Sequence, residues 1–164
     1  MNHIKKFEQE RDDLIKSNGK NKTLKSAAHN FLEESADVNY SYNFSWMGRP
    51  IIQYPQDMIA MQELIWKVKP DLIIETGIAH GGSLIFSASM LTLLETCGEI
   101  EKGEVLGIDI DIREHNKKAI EGHPMSKKIT MFEGSSVSDE MISKVHDFAK
   151  RGKRNIVYFD SKHT

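Results

Sequence analysis

Three acidic residues stand at the ends of apolar runs: Glu75 in DLIIE, Asp109 in EVLGIDID and Asp160 directly after NIVYF. A carboxylate at the end of a buried strand can accept two hydrogen bonds from a ribose diol or offer a hard oxygen to a divalent cation. Glu75 leads into Thr76-Gly77-Ile78-Ala79-His80-Gly81-Gly82-Ser83. Gly77 suits a sharp turn with close ligand approach, Gly81 and Gly82 suit the swing into a helix, and Ser83 suits a helix cap or a ligand contact. His80 falls within this loop, where positioning, packing and catalysis are all open to it. No Gly-x-Gly-x-x-Gly starts at Gly77 and no Gly-Lys-Ser/Thr occurs, which speaks against a dinucleotide or a triphosphate. A ligand with a ribose and no phosphate fits better. Asp109 is then the expected ribose acceptor with Asp111 as its neighbour, while Ser135 and Ser136 are placed to approach a base or an amino-acid portion. Asp160-Ser161-Lys162-His163 joins a metal-type oxygen to an imidazole able to take a hydroxyl proton near neutral pH. Ser161 lacks the strand-turn-helix elbow of a nucleophile. His3, His29, His115, His123 and His146 show no metal-ligand spacing, and the cluster Lys150-Arg151-Gly152-Lys153-Arg154 reads as a solvated turn.

Composition narrows the class. The chain has 164 residues, 22 Lys+Arg against 24 Asp+Glu, a formal charge of -2 and 39% hydrophobic residues. This is the profile of one globular domain and gives no electrostatic reason to expect a nucleic-acid partner. Cys97 is the single cysteine, which excludes an internal disulfide and a thiolate-rich zinc site. No apolar run approaches the ~20 residues of a membrane span, and the start MNHIKKFEQERDD lacks a signal-peptide core, so the expected compartment is the cytoplasm.

The elements that must position these residues alternate. Two weakly patterned helices, HIKKFEQERDDLI and LKSAAHNFLEESA, flank a turn at Ser17-Lys20. The stretch NYSYNFSWMGRPIIQYPQDM, rich in aromatics but without a period, reads as an ordered loop from which Arg49 and Gln53 are most able to face a ligand. Residues 1–54 are thus expected to form a helical arm and aromatic loop, and 55–164 the main domain. Met58, Met61, Ile65 and Val68 predict a helix from Pro55 to Val68. Beyond it DLIIE, EVLGIDID, KITMFEG and NIVYFD read as strands alternating with the helices SLIFSASMLTLLET, REHNKKAIEG and SDEMISKVHDFAKRG. That order predicts an α/β, doubly wound, Rossmann-like parallel sheet with helices on both faces.

The pieces NFSWMGRPIIQYPQDM, KPDLIIETGIAHGGSLIFSASML, VLGIDIDIR, EGHPMSKKIT, EGSS and FDSKHT resemble the cephalosporin hydroxylase / rhamnosyl O-methyltransferase family, within class I S-adenosylmethionine-dependent methyltransferases. The resemblance runs from about Tyr42 to Thr164. It implies that Glu75, Gly77 and Ser83 line a cofactor crevice, with His80 and Gly81 in the same loop, that Asp109 receives the ribose and that Ser135 lies near the adenine. It also implies that Asp160 is the first ligand of a divalent metal such as Mg2+, and that His163 acts on the acceptor hydroxyl. Lys162 stands where Asn or Asp is more usual and adds positive charge beside that metal. No two-His-one-carboxylate pattern supports an oxygenase.

The implied reaction is metal-assisted methyl transfer from S-adenosylmethionine to a hydroxyl of a sugar or secondary metabolite. A class I domain has seven strands, so the expectation here is an incomplete fold, truncated after its fourth strand, with spatial order 3-2-1-4. Its last strand is left as an edge for a second copy or a completing chain. On that expectation the fragment's own activity is in question. The alternatives are a non-catalytic cofactor-binding or assembly fragment, and an NAD or nucleotide-sugar dependent enzyme.

Overall fold

The computed structural model describes residues 2–160. The expectations for Ser161, Lys162 and His163 fall outside the described residues. Contacts divide the chain into Met1–Tyr40 and Ser41–Thr164.

In the first unit, α1 (His3–Asn18) and α2 (Lys22–Asp37) each begin at an asparagine. The Asn2 side chain accepts from Ile4 N–H at 3.1 Å and that of Asn21 from Leu24 N–H at 3.0 Å, satisfying amides that have no partner within the helix. Phe31 meets Tyr40 edge to face at 5.6 Å.

The second unit opens with a hairpin, β1 (Phe44–Trp46) and β2 (Arg49–Ile51). Met47 and Gly48 both have positive φ, 46° and 83°, as a two-residue hairpin turn of matching twist requires. The sequence predicts a loop here and the structure shows a hairpin, because three-residue strands are too short to show alternation. Next comes α3 (Pro55–Val68), with Pro55 in its first turn and Lys69 closing it in the left-handed region before Pro70. Met58, Met61 and Ile65 pack into the core as expected, whereas Val68 is exposed, since the helix ends before it turns inward.

The remaining chain alternates β3 (Leu72–Thr76), α4 (Gly82–Thr96), β4 (Glu104–Asp109), α5 (Glu114–Glu121), β5 (Ile129–Glu133), α6 (Asp139–Ala149) and β6 (Asn155–Phe159). The four longer strands pair in parallel in the order β5-β4-β3-β6, which is the expected 3-2-1-4. Ile73, Val105 and Tyr158 face α3, α4 and α5 on one side, while Leu72, Ile74 and Leu106 face Met141 and Phe148 of α6 on the other. Helix α4 is apolar on all sides, and Leu84, Ile85 and Leu91 have no exposed surface.

The expectation of an incomplete fold needs correction. The described residues form an α/β, Rossmann-like fold of six α-helices and a four-stranded parallel sheet. Its central strands β3 and β4 are covered on both faces, and β6 pairs with β3 along its whole length. Two covered strands with two paired neighbours bury a core on each face of the sheet. Among the described residues β6 has no strand on its outer side, and its Val157 and Phe159 are exposed. No helix among the described residues is long and apolar enough to cross a membrane.

Candidate functional site

Parallel strands bring all their carboxyl ends to one edge, so Thr76, Asp109, Glu133 and Phe159 end at the same rim. Just beyond it lies a cleft of about 610 Å³, lined among others by Gly77, His80, Gly81, Ser83, Asp109 and Asp160. A smaller hollow of about 170 Å³ adjoins it and shares Gly77, Asp109 and Ile110; its far wall is Gly134, Ser135 and Ser136. Nine residues singled out in the sequence, from four different loops, therefore line two adjoining hollows.

Glu75 departs from expectation. It is fully buried and lies beneath the glycine loop rather than on the cleft wall, because residue 75 faces α4 while its neighbour Thr76 faces the small hollow. Ser83 Oγ–H and Tyr158 Oη–H donate to its two carboxylate oxygens, and Tyr158 Oη also lies 3.1 Å from Ser87 Oγ. Burial pushes the Glu75 carboxyl up to about 8, against the opposing pull of those two hydroxyls, and nearby Asp160 adds to the rise. The Tyr158 hydroxyl is likewise pushed well up by burial and by Glu75. Tyr158 was not singled out in the sequence, and its place in an apolar strand carries no signal of this contact.

Asp109 is half-buried at the end of β4 and turned toward the loop after β3. Its Oδ2 accepts from Ile78 N–H at 2.7 Å and from Ala79 N–H at 3.4 Å, and its Oδ1 from Asp111 N–H at 3.3 Å. A carboxylate has about four acceptor positions, two on each oxygen, so Oδ1 retains capacity for a ribose hydroxyl while Oδ2 is occupied by the loop. Asp111 is present as the expected neighbour, contributing its amide. Thr76 Oγ1, a buried hydroxyl at the base of the small hollow, has no hydrogen-bond partner among the described residues. A buried polar atom of this kind ordinarily finds one.

Two glycines are required at the entry to α4, Gly81 by its φ of 80° as well as by its neighbour and Gly82 by its neighbour alone. A Cβ on Gly82 would lie 2.2 Å from Pro50 O, and one on Gly81 2.4 Å from the Ile120 side chain. The hairpin and α5 thus press directly on the start of α4. Arg49, expected to face a ligand, instead turns into this junction: its Nη2 donates to His80 O at 2.6 Å and to Asn116 Oδ1 at 3.2 Å. Gln53 does reach the rim, its Nε2 donating to Asp160 Oδ2 at 3.3 Å. Burial raises the Asp160 carboxyl while Gln53 lowers it. No group of three or more His, Cys, Asp and Glu able to hold a metal occurs among the described residues.

Comparison with known proteins gives the frame for this rim. A search of curated proteins finds no match. Three solved structures share the fold: a CmcI structure with SAH (TM-score 0.52, 18% identity, covering 73% of this chain and 54% of that one), an apo CmcI structure (0.57, 21%, 75% and 47%) and a CmcI structure with magnesium and SAM (0.54, 19%, 75% and 48%). The chain spans about half the length of these structures. The family model described as rhamnosyl O-methyltransferase/CmcI matches residues 38–164. That match takes in the whole four-stranded sheet and runs to the last residue given, and on this finding the label of truncated fragment is withdrawn as a description of the chain. The chain belongs to the rhamnosyl O-methyltransferase/CmcI family.

Proposed function

We propose that this chain binds S-adenosylmethionine across the rim of its sheet and serves the methylation of a hydroxyl on a small molecule, with a sugar or secondary metabolite as the acceptor class. The observation that carries this reading is Asp109: a carboxylate at the end of β4, locked against the glycine loop and bordering both hollows. The acceptor position left on its Oδ1 suits a ribose hydroxyl, the small hollow with Ser135 suits the base, and the Thr76 hydroxyl, unpartnered among the described residues, marks a polar site there. The larger cleft then takes the amino-acid end and the acceptor. Absence of a Gly-x-Gly-x-x-Gly pattern speaks against the NAD or nucleotide-sugar alternative.

When bound, the sulfonium supplies a methyl carbon that bonds to the acceptor oxygen as the carbon–sulfur bond breaks, the sulfur keeping the electron pair. The chain's part is orientation and proton handling. Asp109 fixes the ribose, the loop from Gly77 to Ser83 holds the rest of the ligand, and Glu75 with Ser83 and Tyr158 keeps the loop's base rigid and dry. His163 is proposed to take the acceptor's proton. Asp160 would hold a divalent cation through one oxygen, with its remaining ligands from water, substrate or residues outside those described; such an ion lowers a hydroxyl's pKa.

Calorimetric titration of the folded chain with S-adenosylmethionine, with and without Mg2+, tests the reading. Saturable one-to-one binding is expected, followed by methyl transfer to a hydroxylated acceptor. Binding of NAD in place of the adenosyl ligand would overturn it.

A further inference from the structure

The loop between β3 and α4 is held from outside by three side chains on three different elements. Asp109 of β4 takes the Ile78 amide, Asn116 of α5 donates through Nδ2 to Ala79 O at 2.9 Å, and Arg49 of β2 donates through Nε and Nη2 to His80 O at 3.0 and 2.6 Å. Arg49 and Asn116 are themselves joined, and Asn116 is buried. What they hold is an uncommon backbone: Ala79 has φ 44°, a conformation unfavourable for a side-chain-bearing residue unless its surroundings impose it. The missing Cβ atoms of Gly81 and Gly82 leave room for α5 and the hairpin to come this close.

We infer that Arg49 and Asn116 form a latch that fixes the Ala79 and His80 carbonyls and so positions the loop for the amino-acid end of the adenosyl ligand. This rests on the cofactor reading above. With the base in the small hollow and the ribose at Asp109, the ligand's remaining length runs along His80, Gly81 and Ser83, the part of the loop that the latch holds. Helix α4 starts there with no capping side chain, so the orientation of its first turn depends on the loop before it. Arg49 and Asn116 are positioning residues; neither lines the cleft.

The latch predicts selectivity that a general loss of stability would not produce. In the full chain, Arg49→Met should weaken S-adenosylhomocysteine about tenfold, as loss of a charge-assisted hydrogen bond implies. Adenosine, which lacks the amino-acid end, should bind within about twofold of the unsubstituted chain on the same reasoning. Arg49→Lys, with a single ammonium, should recover part of the difference. Asn116→Asp keeps the acceptor for Arg49 and loses the donor to Ala79 O, and should show the same selectivity if Arg49→Met fails to fold. Amide hydrogen exchange without ligand gives an independent reading: exchange should quicken over 78–83 and stay unchanged in β3 and β4. Equal weakening of both ligands, or unaltered exchange in that loop, would overturn the latch. Binding of neither ligand by the unsubstituted chain would overturn the cofactor reading and the ligand half of this inference, while exchange would still decide whether the loop is latched.

Discussion

The two ends of the sheet carry hollows of nearly equal size, about 610 Å³ at the carboxyl rim and about 570 Å³ at the amino rim, yet their chemistry differs. At the amino rim the charges satisfy one another. Lys102 donates to Glu104 at 2.6 Å, Arg151 lies 3.7 Å from the same carboxylate, and Asp71 accepts from the amides of Lys153 and Arg154 at 2.9 and 3.0 Å. That hollow is the seam of a turn. At the carboxyl rim Asp109 retains acceptor capacity, Thr76 Oγ1 is without a partner, α4 is uncapped and a buried carboxyl is held far from its ordinary value. Volume does not distinguish a binding site from a seam; polar groups left unsatisfied by the fold do.

The contrast is sharpest at Glu75. Its folded value of about 8 exceeds its ordinary 4.5, so between those values the folded chain keeps a proton that the unfolded chain has released. Stability conferred by the protonated carboxyl is therefore complete below about pH 4.5 and is lost as the pH rises through about 8. At about 1.4 kcal/mol per unit the loss is on the order of 3–5 kcal/mol. Urea unfolding across this range should show the decline, and Glu75→Gln should flatten it; a slope that survives the substitution would show another group to be responsible.

Asp109→Ala should come next, with adenosyl-ligand affinity falling roughly a hundredfold as a charged acceptor is lost from both the ribose and the loop. Calorimetry reads this directly, and near-normal affinity would remove the basis for calling the carboxyl rim the site. The smallest effect belongs to the amino rim. Asp71→Ala should cost about 1–2 kcal/mol in unfolding free energy by freeing two turn amides, and leave ligand affinity within about twofold. Weakened binding in that variant would erase the distinction between the two hollows.

Most of the architecture was legible in the sequence. Apolar runs such as DLIIE and NIVYF alternating with helical patterns can bury their surfaces only as a parallel layered sheet, and the chain folds in the expected strand order. The hairpin was missed because its strands are three residues long and Met47 stands where asparagine would have signalled the turn. The incomplete fold was inferred by counting strands against a seven-stranded pattern. In the structure β3 and β4 are nonetheless covered on both faces, so the elements present bury their own core.

By itself the sequence determined the parallel sheet and the gathering of Asp109, Asp160, Ser135 and the glycine loop at one rim, because strands joined by right-handed crossovers all end on the same side, while the strand order and the family came with the resemblance carried by its motifs. The tertiary structure decided what each polar group does there. Glu75 lies under the loop and not in the cleft, Arg49 turns inward to His80 and not outward to a ligand, and Gly82 is small for the sake of Pro50. These outcomes depend on distances of a few ångströms between residues far apart in the chain, where burial and competing donors set a side chain's partner, and no local pattern encodes such distances.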